Sequence, residues 1–225
     1  MTKPITRRCR NHAGALVQEV TPVLAGHEEV HLMRSISATM FTTLDGVVQG
    51  LGRPDEDTRG GFAHGGWGAG YDDEVLAAEM GKGMAGTGAV LFGRRTWQDF
   101  HGAWASATDG NPFTAHLNAA RKYVVSRTLA DAQGWANSVL LRTVDEVAAL
   151  DEDLAVIGSA ALVRALHTAG LVDHYSLVVH PVTLGSGTRL FEGPAPLTRF
   201  ELTGSVTTSK GVIVAHCSRI TAGGR

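Results

Sequence analysis

The chain has 225 residues, of which 44% are hydrophobic, and a formal net charge of −2 at pH 7. That is apolar material for one well-packed domain. A charge so near balance excludes a long-range field that would gather nucleic acid or an anionic membrane, and no run reaches the ~18 apolar residues of a membrane helix. Cys9 and Cys217 lie near opposite ends and make neither a disulfide framework nor a metal-type pair. A reducing, cytoplasmic setting is expected.

In chain order, Met1 to Leu32 carries early basic residues (Arg7, Arg8, Arg10), but Asn11, Gln18, Glu19 and Pro22 interrupt the apolar stretch after them, unlike a signal peptide. Residues 1–32 are expected to be a disordered extension and 33–221 a single domain, with Met33 an available start. Ser35 to Thr43 alternates and is rich in β-branched residues, which predicts a strand, and Asp45-Gly46 turns it. From Gly50 to Tyr71 glycine is too dense for a core, so a long functional loop is expected. Asp72 and Asp73 are placed to cap a helix running through Met84.

The pattern then repeats as strand and helix. Ala89 to Phe92 leads into a helix opened by Gly93-Arg94-Arg95-Thr96, and Lys122 to Val125 is a strand followed by a loop. Val139 to Leu141 and Leu154 to Ile157 are further strands, the second feeding a helix from Ser159 to Thr168. Such alternation implies an α/β fold with a mainly parallel sheet covered by helices on both faces. Tyr175 to His180, Leu197 to Thr207 and Val212 to Ser218 lack intervening helices, so they should form an antiparallel C-terminal edge.

Two strand-to-helix junctions, Leu91-Phe92-Gly93-Arg94-Arg95-Thr96 and Val156-Ile157-Gly158-Ser159-Ala160-Ala161, can present backbone N–H groups to an anion. A helix N-terminus carries about half a positive charge, and glycine admits a phosphate close to the backbone. Arg94 and Arg95 add guanidinium charge suited to a phosphate. Singly, each junction is better read as tight strand-helix packing; two in register point to a phosphorylated nucleotide cofactor. Neither junction is the Gly-x-Gly-x-x-Gly fingerprint that follows a first strand, and no Gly-Lys-Ser/Thr loop occurs.

Asp45 ends the first strand, where it could orient or protonate a substrate, although Asp-Gly is also a common turn pair. Trp67 could close over a substrate or plug the core edge. Leu184-Gly185-Ser186-Gly187 is either a site wall or a turn, and His180 either lines a pocket or ends its strand. Among the histidines, His64, His101, His116, His167, His174, His180 and His216 show no paired ligand spacing, so no metal is expected. No Gly-x-Ser-x-Gly elbow occurs.

Taken together, Thr43-Leu44-Asp45-Gly46, Phe62-Ala63-His64-Gly65-Gly66-Trp67, Leu91 to Trp97, Lys122-Tyr123-Val124-Val125-Ser126, Ile157 to Val163 and Pro181 to Phe191 form an ordered set. From Met33 to Ile220 the chain resembles the C-terminal reductase domain of bifunctional riboflavin-biosynthesis deaminase-reductases, and more closely the stand-alone, dihydrofolate-reductase-like bacterial proteins of that group. The resemblance implies a dihydrofolate-reductase-like fold and an NADPH site. By its motifs Gly93, Arg94, Arg95 and Thr96 face the cofactor's phosphates, Ser126 and Arg127 lie near the adenosine end, and Gly158, Ser159, Ala160 and Ala161 hold the pyrophosphate. It also puts Asp45 on the substrate side, which favours the functional reading there; Trp67, Gly185 and Gly187, from the residue reading above, are expected around the substrate. A homodimer through the C-terminal edge strands is expected.

The deaminase signature, His-x-Glu with Pro-Cys-x-x-Cys, is absent. The expected activity is hydride transfer from NADPH to a small metabolite such as a pterin or pyrimidine. The alternatives are the riboflavin-pathway reductase acting on a ribosylaminopyrimidine phosphate, and a non-catalytic nucleotide sensor with the same fold.

Overall fold

The computed structural model describes residues 34–85 and 88–220, together with two short N-terminal strands. The chain divides into two compact units, Met1–Leu32 and Met33–Arg225. In the first, β1 (Arg8–Arg10) pairs antiparallel with β2 (Leu16–Gln18). The expectation for residues 1–32 otherwise lies outside the described residues.

The second unit is an α/β layer structure. Its strands are β3 (Ile36–Thr43), β4 (Ala89–Gly93), β5 (Arg121–Val125), β6 (Ser138–Leu141), β7 (Leu154–Gly158), β8 (His174–His180), β9 (Phe200–Thr207) and β10 (Ile213–Arg219). They form one eight-stranded sheet in the order β6-β5-β4-β7-β3-β8-β10-β9. Neighbours from β6 to β8 pair in parallel, whereas β10 runs antiparallel to both β8 and β9. The helices are α1 (Glu74–Ala85), α2 (Arg94–Trp104), α3 (Pro112–Ala119), α4 (Val144–Ala148) and α5 (Ala160–Thr168).

Side-chain alternation on the strands separates the core into two faces. On one, Met40, Leu91 and Val156 pack with Val147 of α4 and Leu162, Val163 and Leu166 of α5. On the other, Val90, Phe92 and Val124 pack with Trp97 of α2 and Leu117 of α3, while Leu76 of α1 covers Val178, Val212 and Val214. Strand β4 lies between these layers and is buried at every position, which is why it reads as a continuous apolar run. Each fully buried Val, Leu or Phe contributes about 1.5–3 kcal/mol.

Asp73 caps α1 as expected, its Oδ1 accepting the Leu76 N–H at 2.8 Å, and its other oxygen also accepts from the Ser209 N–H and hydroxyl. One side chain thus fixes both the helix start and the β9–β10 turn. Helices α3 and α4 are additions to the sequence reading, which assigns no element to those residues. The stretch from Gly50 to Tyr71 is a loop with a single 3-10 turn at Arg59–Gly61. Among the described residues no helix is long and apolar enough to cross a membrane.

The consequence for function lies in the strand order. From β3 the chain crosses to β4 and moves outward through β5 and β6, then returns to insert β7 between β4 and β3. This reversal places the ends of β4 and β7, Gly93 and Gly158, beside each other at the carboxyl edge, where open α/β sheets bind ligands.

Candidate functional site

The two glycine junctions meet. A Cβ on Gly93 would lie 2.4 Å from Ser159 Oγ, and one on Gly158 would lie 3.1 Å from Thr96 Oγ1. Gly158 has φ of +144°, a conformation that L side chains rarely adopt, and its peptide bond to Ser159 is cis. Neither Gly93 nor Ser159, the N-cap residues of α2 and α5, makes a side-chain capping hydrogen bond. Two helix N-termini therefore open at one place, and among the described residues neither has a side-chain cap on its first-turn N–H groups. Ala160 is buried and Ala161 exposed in the first turn of α5, so no bulky side chain obstructs it.

The arginines extend this positive edge. Arg95 is exposed, while Arg94 Nη1 donates to Thr128 Oγ1 at 2.7 Å, tying α2 to the loop after β5. Ser126 is buried, and its Oγ accepts from the Thr128 and Leu129 N–H groups at 3.2 and 2.9 Å, so it shapes the loop after β5. Arg127, next to it, is exposed.

Asp45 lies on the neighbouring part of the edge, and its carboxylate is engaged. Oδ1 accepts from Thr43 Oγ1 at 2.6 Å and from Leu184 N at 3.2 Å, Oδ2 accepts from Gly185 N at 2.8 Å, and Arg189 Nη2 stands 3.5 Å away. The Thr43 hydroxyl, with the Gly185 and Leu184 amides, holds this carboxyl down at about 2 against the opposing effect of burial. It is ionised at neutral pH and carries no proton to give. Its geometry is that of a strap between the β3 turn and the Leu184–Gly185 turn, where Gly185 takes a φ of +73°.

A Cβ on Gly187 would meet the Phe62 ring at 2.7 Å and Val47 Cγ1 at 2.9 Å, so only glycine fits where this turn packs against the loop.

Trp67 lies over the end of β8. Its ring meets His180 edge-on at 5.1 Å between centroids, and its Nε1 donates to Gln49 O at 2.6 Å. Tyr71 meets the same imidazole at 5.2 Å and Phe41 at 6.1 Å. His180 is 2% exposed, and burial pushes its imidazole below the usual range, so it is neutral at pH 7. Beside it is a cavity of about 170 Å³ lined by Phe41, Leu51, Gly68, Asp72, Leu76 and His180, among others. Its one charged lining group is the Asp72 carboxylate.

Sequence reasoning missed Gln49. Its Nε2 donates to Asp57 O and Arg59 O, and its Oε1 accepts from Thr188 N and Oγ1, so one buried amide joins the glycine-rich loop to the segment that Asp45 also holds. No local pattern marks such a residue, since its partners are distant in the chain.

The model of the RibD C-terminal domain matches residues 34–214. The chain belongs to the RibD C-terminal domain family. Among curated proteins, this RibD C-terminal domain is 28% identical over 132 residues to the uncharacterized protein YyaP of Bacillus subtilis, covering 55% of this chain and 70% of that one. A putative riboflavin biosynthesis protein from Shewanella sp. PV-4 has the same fold, with a TM-score of 0.61 at 18% identity over 83% of this chain and 99% of that one. A pyrimidine reductase-like protein from Corynebacterium diphtheriae superimposes with a TM-score of 0.58 at 11% identity, over 84% and 92% of the two chains. Acinetobacter baumannii RibD gives 0.56 at 15% identity, and the match spans 84% of this chain but 58% of that longer one. The fold is thus that of these RibD-like proteins, and membership of the RibD C-terminal domain family supports an oxidoreductase.

Proposed function

We propose that the protein is an NADPH-dependent reductase of a small, unphosphorylated, planar metabolite such as a pterin or pyrimidine. The observation that carries the reading is the contact between the two junctions, which makes one anion-binding cradle from the N-termini of α2 and α5. The residues fit a dinucleotide. The α2 and α5 amides and Thr96 would hold its phosphates, Arg94 and Arg95 would neutralise them, and the loop carrying Arg127 would take the adenosine end. NADPH, when bound, supplies the hydride.

The chain's own residues orient the substrate and exclude water. The cavity under the glycine-rich loop is the substrate site in this reading, walled by Phe41 and Leu76 and closed by the Trp67–His180 pair. Asp72, as its charged lining group, favours a ring with N–H donors and repels a phosphate. Because Asp45 is ionised and strapped, the proton that accompanies the hydride comes through water, and Asp45 acts by holding the Gly185 turn.

A phosphorylated riboflavin-pathway substrate needs a second anion site. Arg189, near the Gly185 turn, would be a candidate, but its Nε donates to the Asp45 backbone O at 2.9 Å and its Nη2 faces the Asp45 carboxylate. That arginine is already committed.

The test is thermal stabilisation by cofactor. NADPH at about 100 Kd raises Tm by roughly 5 °C or more, and NADH does so less. Equal effects of the two would remove the role given to the arginines. Oxidation of NADPH across a panel of pterins, flavins and pyrimidines separates a reductase from a sensor, and complementation of an auxotroph lacking only the riboflavin reductase step tests the pathway enzyme.

A further inference from the structure

The loop that would receive the adenosine end is held in shape by a residue outside that reading, Arg142. It directly follows β6 (Ser138–Leu141), at the same carboxyl edge. Its Nη1 donates to Leu129 O at 2.6 Å and to Ser126 O at 3.2 Å, and its Nη2 donates to Ala130 O at 3.3 Å. One guanidinium therefore gathers three carbonyls of a single short loop. The loop's N–H groups are gathered from inside by Ser126 Oγ, and its third side is tied to α2 by Arg94 through Thr128.

This network fixes the backbone of Ser126 to Ala130 and leaves one basic side chain unspent. Among the described residues, Arg127 makes no hydrogen bond or ion pair, and it adjoins the threonine that Arg94 holds. A carboxylate is close at hand for Arg142, since Glu146 Oε2 accepts the backbone N–H of Arg142 at 3.0 Å. The guanidinium nonetheless serves the loop carbonyls, a use that matches its rigid fork of donors. Holding a loop in its binding shape beforehand removes the ordering cost that association otherwise carries.

We propose that Arg142 is a positioning residue for cofactor selectivity. It holds the Ser126–Ala130 loop, which carries Arg127 and is tied to α2 by Arg94 through Thr128, and those two arginines take the ribose phosphate monoester that distinguishes NADPH from NADH. The proposal rests on the cofactor reading above.

The experiment measures Kd for NADPH and NADH by nicotinamide fluorescence in wild type, Arg142→Met, Arg142→Lys, Arg127→Gln and the Arg142→Met/Arg127→Gln double variant, with melting curves for each. Wild type prefers NADPH. Arg142→Met loses roughly tenfold of that preference while NADH binding stays within about twofold, as expected for one charge-assisted contact. Arg142→Lys, which keeps charge but not the fork, falls between the two. The double variant is no worse than Arg127→Gln alone, because Arg142 acts through Arg127. An unchanged preference in Arg142→Met, a parallel loss of both cofactors, or additive losses in the double variant would each overturn the proposal. A wild type that does not discriminate brings down the cofactor reading and this inference together, whereas an intact wild-type preference with an unaffected Arg142→Met removes the inference alone.

Discussion

At the residue scale, Asp45 makes its chemistry testable by pH. Its folded value of about 2 lies below the ordinary 3.8, so the unfolded chain takes up the proton first as pH falls. The strap's contribution is complete above about pH 4 and is lost as pH approaches 2. Asp45→Asn should cost about 1–2 kcal/mol at pH 7, and the gap in melting temperature from wild type should close on acidification. A gap as large at pH 2.5 as at pH 7 would contradict the assignment. Gly158 gives a second prediction. With φ at +144° and Thr96 Oγ1 3.1 Å from the place a Cβ would take, Gly158→Ala should lose about 1–3 kcal/mol in thermal denaturation and weaken NADPH more than its stability alone explains. The sequence exposes these two residues unequally. The strand-glycine-helix pattern marks Gly158 directly, whereas the Asp-Gly pair shows only a turn. The amides that keep Asp45 ionised come from Leu184 and Gly185, far along the chain.

At the scale of elements, the long periodic segments and the strand-to-helix junctions are legible in the sequence, and the short helices are not. Helix α3 announces itself only through Asn111, whose side chain accepts the Phe113 N–H, and Pro112 at the first helical turn. Helix α4 carries a Thr143-x-x-Glu146 capping box, with Thr143 Oγ1 accepting the Glu146 N–H. Both signals are present, but each helix is too short for apolar periodicity to appear. The end of α3 depends on Lys122, which is fully buried, donates to Leu117 O at 2.6 Å and Ala120 O at 2.8 Å, and stands 4.8 Å from the Trp135 ring. Burial pulls its amine down to about 8, so it is still charged at neutral pH. Lys122→Met strips the donor from buried carbonyls and should cost about 2–4 kcal/mol by urea denaturation; a loss below about 0.5 kcal/mol would show that the carbonyls do not need it. In the sequence this lysine is indistinguishable from an exposed strand residue.

At the scale of the molecule, β9 ends the sheet, with Leu197 and Leu202 well exposed near its outer side. An unpaired edge of this kind invites a second copy. A homodimer through β9 is the expected assembly, and Leu202→Glu should shift it toward monomer in light scattering; an unchanged mass would place the contact elsewhere. The strand order also bears on how the chain is made. Strand β3 is synthesised first among the strands of the main sheet, yet the partners that flank it, β7 from Leu154 and β8 from His174, are the fifth and sixth of those strands to leave the ribosome. Until then the opening strand of the main sheet has no lateral neighbours within it, so its burial waits on contacts more than a hundred residues away in the chain.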